Sequence, residues 1–94
     1  MFLRKKVMII TLVTVFPVAV AAQPSGMSSA CQAAYAKYEA ASGVKAFAKG
    51  ASQGCGWSYR TGENAKMSDA RQRALGFCNA DGGDNCRVVA TSKN

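Results

Sequence analysis

The side chains that usually do chemistry are few in this sequence: four cysteines, five carboxylates and no histidine. Without histidine the commonest general base is missing, and with it the hydrolase triads and nearly every zinc-hydrolase centre. The acids are Glu39, Glu63, Asp69, Asp81 and Asp84. They leave one remote enzymatic option, a small carboxylate-dependent hydrolase, which needs two carboxyls held across a cleft that so short a chain hardly builds. No residue is therefore assigned a catalytic role. Zinc knuckles of the Cys-x-x-Cys kind are absent. The run Asn79-Ala80-Asp81-Gly82-Gly83-Asp84 alternates oxygen ligands around a glycine turn like a calcium loop, but lacks the closing glutamate. Asn, Asp and Gly are what a helix exit needs, so no metal and no cofactor are expected.

Cys31, Cys55, Cys78 and Cys86 read instead as two disulfides, for which three connectivities exist. The favoured pairing is Cys31–Cys55 with Cys78–Cys86. The second pair spans the Gly82-Gly83 turn, where a chain leaving a helix doubles back and brings two Cα atoms within about 6 Å. Disulfides imply an oxidising compartment, and the amino terminus agrees. Arg4-Lys5-Lys6 precedes an apolar run from Val7 to Phe16, and Val20-Ala21-Ala22 supplies small residues before a polar segment. This is the order of a signal peptide over residues 1–22, cut near Ala22, or one residue earlier in the alternative register. The apolar run is shorter than the roughly 20 residues a spanning helix needs, and Pro17 interrupts it, so no stable membrane anchor is expected after processing. The expected destination is secreted or periplasmic.

Processing leaves nine Lys/Arg against five acids, a mild net charge of +4. That disfavours nucleic acid, which asks for a denser basic stripe. Residues 23–28 form a lead-in, and residues 29–94 one small domain whose modest core needs its covalent staples. Ser28 or Ser29 caps a helix to about Ala41, stopped by Gly43, with Cys31, Ala34, Tyr35 and Tyr38 on its buried face. Val44 to Lys49 and Cys55 to Arg60 alternate as neighbouring strands. Ser68 is expected to cap a second helix through about Asn79, with Met67, Ala70, Ala74 and Cys78 in one stripe. Asn85 to Thr91 makes a third strand. The fold class is α+β: a small three-stranded antiparallel or mixed sheet packed on two helices, in the order α-β-β-α-β.

The stretches Ala46-Phe47-Ala48 to Gly56-Trp57-Ser58-Tyr59, Asp69 to Cys78 and Asn85 to Ala90 resemble the small secreted bacterial domain-of-unknown-function family 4189, over roughly residues 46–91. The resemblance implies a strand–strand–helix–strand unit with a bridge from the helix end to the third strand. It covers core and cysteine positions and carries no activity with it. The Cys31 helix lies outside it.

Strand parity gives one candidate site. If Cys55 and Cys86 point toward the helices, Trp57, Tyr59, Val88 and Ala90 share the covered face. Gly56, Ser58, Arg60, Arg87, Val89 and Thr91 then show on the opposite face, joined by Lys45, Phe47 and Lys49. Lys45, Lys49, Arg60 and Arg87 around Phe47 would make an anion-binding patch. The function these features imply is an exported, non-enzymatic binding module whose partner is an anionic envelope polymer or another exported protein. The alternative is a periplasmic inhibitor or immunity protein against a secreted hydrolase.

Overall fold

Helix α1 spans Ser29–Ala40 and begins where the Ser28 hydroxyl accepts from the Cys31 amide at 3.2 Å. The computed structural model describes residues 24–94, so the signal peptide expected over residues 1–22 and the cut expected near Ala22 lie outside the described residues. Ahead of α1, Met27 packs against the tyrosines of that helix, and its carbonyl accepts from the Gln32 side chain. The chain then runs through β1 (Val44–Lys49), β2 (Cys55–Arg60), α2 (Met67–Ala80) and β3 (Arg87–Ser92). The order is α-β-β-α-β and the architecture a small disulfide-stapled α+β fold.

The sheet is antiparallel throughout, in the order β2-β1-β3, so β1 is central and both β2 and β3 are edges. Four consecutive β1 residues, Lys45 to Ala48, are buried. A strand of period two is buried on consecutive residues only when both its faces are covered. The two helices supply the two covers. On one face Ala46 and Ala48 meet Ala70, Ala74 and Cys78 of α2, with Val44, Met67, Leu75, Cys86 and Val88 around them. On the other, Phe47 is fully buried against Tyr35 and Tyr38 of α1, with Trp57, Cys55 and Ala90 beside it. The Tyr35 ring meets Phe47 edge-on at 5.0 Å between centroids. Burial first, then the Glu39 carboxylate, pushes the Tyr35 phenol above its ordinary value.

This three-layer arrangement corrects the single covered face expected from parity. Gly56 and Ser58 are buried under α2, whereas Cys55, Trp57 and Tyr59 face α1. A bulge between the partners of Phe47 and Ala48 sets Ala90 opposite Phe47 and Val88 opposite Ala48. Val88 and Ala90 therefore serve opposite faces, and Val89 is left exposed. The start of α2 also differs: Lys66 occupies the N-cap without a side-chain bond, and Ser68 lies inside the helix.

Cys31–Cys55 ties α1 to the start of β2, and Cys78–Cys86 ties the end of α2 to the segment before β3. Bonds of this kind form and persist in an oxidising environment. Among the described residues no helix is long and apolar enough to cross a membrane. The turn between β1 and β2 is held by Asp84, whose carboxylate accepts from the Ser52 amide, the Ser52 hydroxyl and the Gln53 amide. Those donors, the Ser52 amide foremost, hold the Asp84 carboxyl down to about 2.

Candidate functional site

The residues expected to form an anion-binding patch do not come together. Phe47 is buried in the aromatic layer under α1. Lys45 is buried too, and its ammonium donates to the carbonyls of Tyr38, Glu39 and Ala41 at 2.8, 2.9 and 2.8 Å. It caps the carboxyl end of α1, where backbone oxygens lack helical donors and the helix dipole favours a cation. Lys49 donates to the Gly50 carbonyl and stands opposite the exposed Arg87. Arg60 pairs with Val44 at the far end of the sheet and on the α2 face. The two carboxylates of the loop that resembles a calcium site are likewise committed to amides, Asp84 at the turn and Asp81 to the Cys55 N–H at 3.1 Å.

The concavity lies elsewhere, along the outer edge of β2, where the two helices overhang opposite faces of the same strand. The hollow measures about 630 Å³. Its floor is β2 from Cys55 to Tyr59, its α1 wall is Ala30 and Ala34, and its α2 wall is Arg73, Phe77 and Asp81. Tyr59 and Phe77 are half exposed and both line this hollow, so their apolar surface is gathered in one place. Trp57 and Tyr59, two residues apart on one side of the strand, stack with centroids 5.8 Å apart. Arg73 lies over Phe77, 5.7 Å from the ring centroid, and its Nε donates to the buried Ser58 hydroxyl at 3.3 Å. A second hollow of about 500 Å³ continues past Tyr59, with Arg60 and Asp69 among its walls.

Small residues create this site. A Cβ on Gly56 would strike the backbone of α2 at Cys78 N and Ala74 O. With glycine there and alanines at 46, 48, 70 and 74, the helix lies directly on the strands. Phe77 and Arg73 are thereby carried to the rim of β2 rather than held a side chain's length above it. On the other side the Cys31–Cys55 bridge fixes α1 against the same strand, with Cα atoms 5.9 Å apart. Both walls are anchored at the same end of the groove.

The floor has its own hydrogen-bonding capacity. The Gly50 N–H donates to the Gly54 carbonyl at 2.9 Å, which sets the alternation of the β1–β2 ladder. Gly56, Ser58 and Arg60 exchange bonds with β1, while Cys55, Trp57 and Tyr59 turn their N–H and C=O groups outward into the groove. The Cys55 amide is taken by Asp81, consistent with that phase. Trp57 and Tyr59 are left to offer two donors and two acceptors along an unpaired edge.

In comparison with known proteins, no family model matches the chain, and neither a curated protein nor a solved structure is significantly similar to it. The groove residues therefore rest on geometry alone. Strand parity puts Trp57 and Tyr59 on a face covered by helices, and it gives Arg73 no role. Gly56, directly before the aromatic strand positions Trp57 and Tyr59, is the available signal, because a strand glycine marks close approach of another backbone.

Proposed function

We propose that this chain is an exported, non-catalytic binding module that takes its partner in the groove along β2. Support for export comes from the signal-peptide order of residues 1–22 and from two disulfides in a histidine-free chain. The single observation that carries the binding reading is the half-exposed Phe77 and Tyr59, held with Trp57 and Arg73 around one concave edge. Apolar walls with a few fixed polar groups are the usual make-up of a recognition pocket. The basic residues are spread over both faces and both ends of the sheet, so the reading favours an exported protein partner over an anionic polymer. The kinship of residues 46–91 to family 4189 remains a proposal about ancestry and adds no ligand.

Trp57 is the chain's one tryptophan, so its emission reports directly on the groove. The test presents residues 23–94, oxidised, to linear peptides displayed on phage and to an array of envelope glycans. Retained ligands should shift Trp57 emission and be lost from the Phe77→Ser protein. Ligands that bind both proteins equally and leave Trp57 unchanged would place the binding surface elsewhere.

A further inference from the structure

We infer that the groove recognises an extended peptide segment by strand addition: the segment pairs with the free edge of β2 as a fourth strand and sets an acidic side chain against Arg73. This rests on the groove being the binding site. The strand character follows from the floor. Trp57 and Tyr59 present a donor and an acceptor each, spaced two residues apart in extended conformation, which is the repeat an added strand satisfies. A glycan offers no matching repeat of amide groups. The stacked Trp57 and Tyr59 rings also turn faces toward each other, leaving less open ring face for a sugar to lie on.

The ends of the pairing are defined. At the Cys55 end, Asp81 already occupies the outward amide, and its negative charge repels an incoming acid. At the other end the edge runs on past Tyr59 into the hollow beside Arg60. The added strand is therefore centred on Ser58 and extends beyond Tyr59.

Side-chain parity then dictates a motif. Residues of the added strand opposite Trp57 and Tyr59 point to the α1 side, against Ala34 and the stacked rings, so apolar side chains suit them. The residue between them, opposite Ser58, points to the α2 side, where Arg73 and Phe77 stand. Among the described residues Arg73 meets the Ser58 hydroxyl and the Phe77 ring rather than a carboxylate. A carboxylate on the incoming strand completes it, with the fork of the guanidinium matched to two oxygens. The partner is thus a segment of apolar–acidic–apolar pattern from another exported protein.

The experiment uses the oxidised domain and linear phage-displayed peptides as the probe, followed by amide hydrogen exchange on the domain with a selected peptide bound. Strand addition predicts enrichment of peptides with an acid between two apolar residues. It also predicts that exchange at the Trp57 and Tyr59 amides slows by about tenfold or more, as pairing of an open edge does. Gly56 and Ser58, already paired to β1, should change much less. Arg73→Gln should weaken acid-centred peptides about fivefold more than it weakens those with glutamine in place of the acid. Peptides that shift Trp57 emission without protecting Trp57 and Tyr59 amides would overturn strand addition while leaving the groove reading intact. Retention of glycans and not peptides would do the same. Retention of neither would remove both.

Discussion

The Nζ of Lys45 sits 2.8 Å from the main-chain oxygen of Tyr38 and 4.7 Å from the centre of that residue's ring. A cation near the start of the central strand thus closes the end of the helix packed above it. With the Glu39 and Ala41 carbonyls, three oxygens replace the water that the ammonium gives up on burial. Lys45→Met should lose about 2 kcal/mol in chemical denaturation, because three partly buried carbonyls lose a charged donor and, among the described residues, only the Tyr38 oxygen keeps another, the Ala41 N–H at 3.1 Å. Lys45→Arg should recover only part of this, since a planar guanidinium does not point at three converging oxygens. A Lys45→Met protein of wild-type stability would show that the three bonds contribute nothing net.

Two glycines separate close packing from mere flexibility. Gly56→Ala places a Cβ into the backbone of α2 at Cys78 and Ala74, and should destabilise by about 2 kcal/mol as the helix is pushed off the sheet. Gly76 lies within α2 and a Cβ there meets nothing within 4 Å. Gly76→Ala should stabilise by about 1 kcal/mol through helix propensity. Thermal melts of both variants, run side by side, check the pair of signs.

The same residues show how far the sequence could be read. Both β1 and β2 were legible to the residue, because alternation is bracketed by Gly43, Gly50–Gly54 and the Thr61-Gly62 loop. The Cys78–Cys86 bridge is legible from the Gly82-Gly83 turn at the helix exit, and Cys31–Cys55 is the pair that then remains. Parity states which residues share a face but not what covers that face, so helices on opposite sides were missed. Parity thus puts Lys45 and Phe47 on the face opposite the helices and leaves open whether Phe47 is exposed or buried. Lys45 was read as a surface charge because nothing local shows that the end of α1 will solvate it. The bulge at Val89 is also invisible locally, since Arg87 to Thr91 alternates no differently from a regular strand. At α2 the serine at 68 looked like a cap, yet the helix starts earlier: Met67 packs against the core, and Asp69 in the first turn supplies the favourable charge.

Acid should act on the β1–β2 turn first. The Asp84 carboxyl is held at about 2 by the Ser52 and Gln53 donors, below its ordinary value of 3.8. A depressed value means that the ionised form is favoured by folding, so its contribution is complete above the ordinary value and is lost as pH falls through the folded one. The window is therefore between about 4 and 2. A carboxyl-resolved titration by NMR should find Asp84 with a midpoint near the lower end, and Asp84→Asn should flatten stability across that window. A midpoint in the ordinary range would mean that the three donors do not hold the carboxylate in solution.

The two bridges should differ in weight. Cys31–Cys55 closes a sequence separation of 24 and Cys78–Cys86 one of 8. Through the unfolded chain alone these correspond to about 3.5 and about 2.5 kcal/mol respectively. Replacing Cys31 and Cys55 together by alanine should therefore lower the denaturation midpoint more than replacing Cys78 and Cys86. It should also loosen α1 over β2, seen as faster amide exchange in α1. The reverse ranking would show that the shorter bridge, on which the Gly83 backbone rests, carries native packing that loop entropy omits.

Phe77 is where stability and binding should part. It stands on α2 half exposed, with Arg73 above its ring and no share in the buried cluster of Ala70, Ala74 and Cys78. A residue retained for the fold loses stability when truncated, whereas one retained for a partner does not. Phe77→Ser should change unfolding free energy by no more than about 0.5 kcal/mol beyond the small difference in helix propensity. Leu75, two residues earlier on the helix and packed on the core, is the contrast: Leu75→Ala should cost about 2 kcal/mol. The same Phe77→Ser protein should lose retention of groove-binding peptides, because the apolar part of the α2 wall is gone. Stability falling as far at Phe77 as at Leu75 would make the ring part of the core, and the groove a shallow consequence of packing rather than a site.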